Sequence, residues 1–327
     1  MQETQRSQLS THDSPLTIHD PKIVFMGTPE FAVTSLDALV NAGYNVVGVV
    51  TAQDKPAGRG MKLTESAVKK YAVEQNLKIL QPEKLKNQAF LEELRLLQAD
   101  VQAVVAFRML PEVVWKMPPL GTINVHASLL PQYRGAAPIN WVIINGEKET
   151  GGTTFKLQHE IDTGNILLRE EVAIGEDETA GELHDRMKIV GANLLIKTIK
   201  GLANGTIREI SQSEIFNSKS EILRHAPKIS TETCKIDWSK TIVEIHNLIR
   251  GLSPYPTAFT YLDNKMLKIY RSKKEFEPTA FDNGAVHTDG KSYLKFACSN
   301  GFIHAIDIQM EGKKRMHVED FLRGYRP

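Results

Sequence analysis

Apolar and polar positions follow two rhythms through the first 206 residues, and the rhythm changes after them. Residues 22–27 form a short apolar run ending at Gly27. From Phe31 to Asn41 the apolar positions recur with a helical period, and Gly43 supplies a stop. Thr28-Pro29-Glu30 reads as the start of that helix, with Thr28 at the N-cap and Pro29 as the first helical residue. The Val-rich stretch 45–51 predicts a second strand. The pattern then predicts a helix over 66–75, a strand over 78–80, a helix over 88–98, and strands over 101–107 and 121–126. Residues 101–106 are apolar at nearly every position, as in a parallel strand covered on both faces. Together these elements predict an α/β fold with a doubly wound, Rossmann-like sheet. Sites in such sheets lie beyond the carboxyl ends of the strands. Residues 152–157 and 165–174 read as antiparallel edge strands. Residues 179–202 read as a long amphipathic helix that stops at Asn204-Gly205.

Past residue 206 the chain turns polar and irregular, and 207–230 reads as a linker. Beyond it come a helix over 241–252, the turn Ser253-Pro254-Tyr255-Pro256, and short strands over 257–262, 266–270, 293–297 and 302–310. Many short strands with turns between them predict a small, OB-like β-barrel. The expected organisation is a first domain over 21–206, a linker over 207–230 and a barrel over 231–327. Residues 1–20 are polar and read as a disordered extension or as sequence upstream of the true start.

Composition narrows this picture only slightly. The 327 residues are 41% hydrophobic and 24% charged with a net charge of +1, ordinary for a soluble protein and long enough for two domains. Neither a membrane-length apolar run nor a signal-peptide core is present, so the cytoplasm is the expected compartment. Two cysteines, Cys234 and Cys298, are too few for a disulfide framework or a cysteine zinc site and read as small buried hydrophobes. From Lys228 onward there are 16 Lys and Arg against 12 Asp and Glu, while the preceding part is net negative. That excess fits either contact with a polyanion or an ordinary solvated surface.

The chemistry is concentrated at 124–135. Asn124 and His126 stand two apart on a strand and therefore share one face, an amide beside a titratable ring. A loop, Ser-Leu-Leu-Pro-Gln-Tyr-Arg-Gly, follows almost at once. Downstream, Asp162-Thr163-Gly164 puts a carboxylate in a turn. An Asn, a His and an Asp brought together would suit acyl-group chemistry. Lys55-Pro56-Ala57-Gly58-Arg59-Gly60-Met61-Lys62 is a flexible basic loop, read either as a phosphate contact or as a solvated surface. Gly27-Thr28-Pro29-Glu30 links strand to helix but is not GxGxxG, and the chain has no GxxxxGK[ST]. No metal-ligand spacing is apparent, so no metal is expected.

Asn-x-His followed by Ser-Leu-Leu-Pro, with an Asp 38 residues after the Asn, resembles the 10-formyltetrahydrofolate-dependent formyltransferases. The resemblance implies that Asn124, His126 and Asp162 surround the formyl group, and that Ser128, Leu129, Leu130 and Pro131 lie beside the folate co-substrate. Further segments are similar to the members that act on initiator methionyl-tRNA: 25–32, the insertion 54–63, Arg134-Gly135-Ala136-Ala137-Pro138-Ile139 and Ile236-Asp237-Trp238. They imply Arg59 and Lys62 as tRNA contacts, a tRNA-binding C-terminal domain and a monomer. Phe107-Arg108 departs from the Tyr-Gly of many members, which implies an altered lining at the pterin end. Three other readings compete: a formyltransferase acting on a small amine and a formyl-folate hydrolase, both disfavoured by the basic insertion and the C-terminal domain, and a tRNA-binding protein without activity, disfavoured by the presence of Asn124, His126 and Asp162 together.

Overall fold

The structure, a computed structural model, describes residues 20–57, 62–216, 222–278 and 280–325. The expected extension at 1–20 therefore lies outside the described residues, save Asp20. Strands β1 (Ile23–Gly27), β2 (Val46–Val50), the hairpin β3 (Lys55–Ala57) and β4 (Lys62–Thr64), β5 (Ile79–Leu80), β6 (Val101–Val105) and β7 (Thr122–His126) alternate with helices α1 (Glu30–Asn41), α2 (Ala67–Glu74), α3 (Gln88–Leu96) and α4 (Glu112–Trp115). After β8 (Arg134–Gly135) and α5 (Pro138–Ile144) come β9 (Glu149–Lys156), β10 (Ile166–Ala173) and α6 (Ala180–Ala203). Seven strands form one sheet in the order β10-β9-β7-β6-β1-β2-β5. Pairing is parallel from β7 to β5, and β9 and β10 run antiparallel at one edge. The edge strands thus have the sense expected from sequence.

Two-sided burial explains the apolar runs. Ile23, Phe25, Ala103, Val105, Ile123 and Val125 face one way and pack with α1 and α6. Val24, Met26, Val50 and Val104 face the other way and pack with α3 and α4. Helix α6 begins with a capping box, in which Thr179 and Glu182 satisfy each other's backbone N–H groups. Helix α1 starts differently from the expectation. Pro29, in extended conformation, occupies the N-cap with no side-chain cap, so the helix begins one residue later than the Thr-Pro-Glu signature implies.

The second half is built as expected around a curled antiparallel sheet. Strands β12 (Ala258–Leu262), β13 (Lys265–Glu275), β14 (Val286–Thr288), β15 (Leu294–Cys298), β16 (Gly301–Met310) and β17 (Met316–His317) pair in the order β12-β13-β16-β15-β14, with β17 on β16. Helix α9 (Ile242–Gly251) fills the concave side, and its Ile242, Ile245 and Ile249 enter one core with Ile269, Phe296 and Ile308. Small helices precede and follow it, α8 (Thr231–Cys234) and α10 (Val318–Leu322). Both cysteines are buried, and burial pushes both thiols up.

The segment read as a linker is anchored to the first domain. Ile210 bridges to Ile166 at the sheet edge, Gln212 opens the short helix α7 (Gln212–Ile215), and β11 (His225–Ala226) pairs in parallel with β8. Ion pairs hold the two domains together, Lys274 to Glu176 and Arg271 to Glu182. The buried His246 adds a bond to Asp177 at 3.0 Å.

Candidate active site

The sheet reverses direction across β1. The chain runs from β1 out through β2 to β5, then returns to β6 on the other side, which makes the β1/β6 boundary the topological switch point. A cleft of about 400 Å³ opens there, lined by Thr28 after β1, Ala52 and Gln53 after β2, and Phe107 and Arg108 after β6. A larger cavity of about 1030 Å³ adjoins it and is lined by Glu83–Lys86 and 108–113. Arg108 and Glu83 border both. The Arg108 guanidinium donates to the carbonyls of Glu83 (2.9 Å) and Pro82 (2.5 Å), so it ties the end of β6 to the loop before α3.

Neither cavity is lined by Asn124, His126 or Asp162. Asn124 and His126 stand on the next strand over, where Val104 of β6 is in register with Asn124 of β7, and Asp162 lies in the turn between β9 and β10. Asn124 shares its sheet face with Val104, the side on which α4 and the 107–113 segment lie. Among the described residues its side-chain amide has no hydrogen-bond partner.

His126 is buried and fixed. Its Nε2 lies 2.9 Å from the carbonyl oxygen of Tyr133. A carbonyl only accepts, so Nε2 carries the hydrogen and the neutral ring leaves Nδ1 with a lone pair. That nitrogen faces Asp162, with Nδ1 and Oδ2 separated by 3.8 Å. Tyr133 presents its carbonyl from the left-handed region (φ +59), and its hydroxyl is held by Glu147 (2.5 Å) and Asn145 (3.2 Å). Arg224 completes the anchor by donating to Glu147 at 2.7 Å.

The turn carrying Asp162 is built by two unusual backbone positions. Asp162 itself has φ +56, a conformation Asp tolerates better than most residues. At Gly164 an added Cβ would lie 1.6 Å from the Lys156 carbonyl oxygen, so only glycine lets the turn pass the end of β9. The carboxylate accepts the Gly135 N–H at 3.0 Å. Beneath it lies Gln212, 4% exposed, whose side-chain NH₂ donates to the carbonyls of Asp162 (2.8 Å) and Gly164 (2.9 Å). Its oxygen accepts from Arg134 Nε (3.0 Å) and Nη2 (2.5 Å). Burial pushes the Arg134 guanidinium below its ordinary value, opposed by the Asp162 and Glu160 carboxylates. Sequence reasoning missed Gln212, which carried no signal beyond a polar residue in an irregular stretch.

The Ser-Leu-Leu-Pro loop turns most of its side chains inward. Ser128 is fully buried and donates to the Gln132 carbonyl at 2.7 Å. Leu130 packs on Phe155 and Ile166, Pro131 is buried, and Leu129 is half-buried. Thr153 of β9 clamps the loop, donating to the Ser128 carbonyl and accepting the Leu130 N–H. Of the two basic residues expected to meet tRNA, Arg59 lies outside the described residues, and Lys62 opens β4 in the hairpin. At the base of that hairpin, Asp54 pairs with Lys69 and accepts from Gln81 at 2.9 Å. The hydrogen bond from Lys69 holds the Asp54 carboxyl below its ordinary value. Among the described residues no three His, Cys, Asp or Glu side chains gather as a metal site, and no helix is long and apolar enough to cross a membrane.

Family models place these residues in context. A formyl transferase model matches residues 21–199, and a model of the formyl transferase C-terminal domain matches 228–326. The chain belongs to the formyl transferase family. Among its relatives, methionyl-tRNA formyltransferase of Bacteroides thetaiotaomicron is 52% identical over 312 residues, which is 94% of this chain and 96% of the relative. The enzyme of the same name from Phocaeicola vulgatus is 55% identical over 313 residues, again 94% and 96%. The fold also matches the crystal structure of WlaRD, a sugar 3N-formyl transferase, with TM-score 0.65 and 23% identity over 90% of this chain and 100% of that one.

Proposed function

We propose that this chain transfers the formyl group of 10-formyltetrahydrofolate to the α-amino group of methionine on initiator tRNA. Support for the acceptor comes from the identity of more than half with relatives bearing that activity in their names, along nearly the whole of both chains. Support for the chemistry comes from one observation above the rest: His126 is anchored through Nε2 and open at Nδ1 toward a mostly buried carboxylate.

The neutral methionine amine attacks the formyl carbon, forming the new C–N bond and a tetrahedral oxyanion. The free amide of Asn124 donates to that oxygen, a role for a group whose charge does not vary. His126 Nδ1 takes the proton released by the amine. The imidazolium so formed lies 3.8 Å from Asp162, where attraction between unit charges is on the order of 4 kcal/mol at an effective dielectric constant of about 20. Collapse of the intermediate breaks the bond to folate N10, and His126 returns the proton to that nitrogen. No step needs a metal or a covalent enzyme intermediate. The folate would lie along the cavity bordered by Arg108, reaching toward the Ser128–Pro131 loop, with the acceptor entering from the switch-point cleft. The basic segment containing Arg59 and Lys62 and the positive C-terminal domain would hold the tRNA phosphates.

Transfer of labelled formyl from 10-formyltetrahydrofolate to methionyl-tRNA, compared with free methionine and small amines, tests the substrate. His126→Ala should lower kcat by roughly 1,000-fold with the fold retained. Equal transfer to small amines, or near-normal turnover by the variant, would refute the reading.

A further inference from the structure

Residues 200–227 fall between the two family models, yet they supply the groups directly beneath Asp162. We infer that Gln212, together with Arg134, is a positioning residue for Asp162, so the segment between the domains forms part of the catalytic wall.

Three structural features converge on this one amide. Gln212 is almost fully buried, and every polar atom of its side chain is used. A buried amide so placed is costly unless all its bonds form together, which makes the arrangement specific rather than adaptable. Its two donated bonds go to carbonyls on either side of Thr163, the tip of the Asp-Thr-Gly turn. They hold the backbone in the left-handed conformation that aims the Asp162 carboxylate at His126. Its acceptor holds Arg134, whose neighbour Gly135 donates a backbone N–H to that carboxylate. Gln212 therefore joins the two sides between which Asp162 is suspended. Gly135 is itself pinned from the same segment, because β11 pairs with β8 and a Cβ on Gly135 would lie 2.4 Å from the Ala226 carbonyl oxygen.

Gln212→Glu separates the functions of the amide. It keeps the acceptor for Arg134 but removes both donors and sets a carboxylate against two carbonyl oxygens. This inference rests on the proposed reaction for its kinetic arm only. Misplacing Asp162 should lower kcat for formyl transfer on the order of 10- to 100-fold, with KM for folate and methionyl-tRNA within about twofold. In an Asp162→Asn background the same substitution should cost less than about twofold, because both changes remove one interaction. The structural arm is amide exchange at Gly135, followed by NMR in glycine-labelled protein. It should accelerate by about 10-fold in Gln212→Glu as the bond to Asp162 loosens.

Unchanged kcat, or an equal loss in both backgrounds, would overturn the inference. So would unchanged Gly135 exchange. If the wild type transfers no formyl to methionyl-tRNA, the proposed function falls while the exchange measurement still decides the role of Gln212. Should Gln212→Glu fail to melt cooperatively, Arg134→Lys, which keeps the charge and shortens the reach to Gln212, carries the same readouts.

Discussion

Asp162→Asn isolates a charge in a site whose shape it leaves nearly intact. The substitution keeps the side chain's size, and the Asn oxygen still accepts the Gly135 N–H. What it removes is the anion 3.8 Å from His126 Nδ1. The two side chains are only 7% and 12% exposed, so solvent screening takes away little of an attraction on the order of 4 kcal/mol. The amide dipole retains part of it. A net loss of about 3 kcal/mol in the transition state corresponds to roughly a 100-fold fall in kcat. Because the charge forms on His126 only as the amine gives up its proton, KM for both substrates should move by less than about threefold. Single-turnover transfer of labelled formyl to methionyl-tRNA, with both substrates saturating, measures the chemical step directly. Retention of kcat within about threefold of wild type would refute the assignment of Asp162 to the imidazolium, whatever the tightness of substrate binding.

Gly164→Ala should destabilise the protein by at least about 3 kcal/mol, since its Cβ would fall inside the Lys156 carbonyl; chemical denaturation checks this. Arg59→Ala should raise KM for charged tRNA far more than KM for folate, and equal effects in steady-state kinetics would count against this basic segment as a tRNA contact. At the domain interface, burial holds His246 below its ordinary value, with the Lys274 and Arg250 cations adding to the shift and Asp177 opposing it. The unfolded chain then binds a proton that the folded chain resists. Stability should therefore fall as pH drops below about 6.5, and His246→Gln should flatten that fall in melting curves recorded from about pH 8 to 5.

The legible parts of the site were those that follow from local periodicity. Asn124 and His126 share a face because strands repeat every two residues, and their place at a carboxyl strand end follows from the alternation of elements before them. Asp162 was visible because a carboxylate followed by Thr-Gly marks a turn. The ring nitrogen that stays open was not visible, since it depends on the Tyr133 carbonyl, which a left-handed residue swings into reach. Ser128 and Leu130 were legible as a motif, but their burial depends on β9 and β10 folding over the loop. Gln212 lies in a stretch with no period at all, and only the return of the chain to the sheet edge gives it partners.

That return sets an order on biosynthesis. A growing chain that has reached residue 206 already contains Asn124, His126 and Asp162, and every strand of the seven-stranded sheet. It still lacks Ile210 against Ile166, Gln212 beneath Asp162, Arg224 on Glu147 and Ala226 beside Gly135. The nascent polypeptide thus holds all three reactive side chains about fifty to sixty residues of translation before it holds the braces that aim them, and the enzyme is finished from outside its own Rossmann-like sheet.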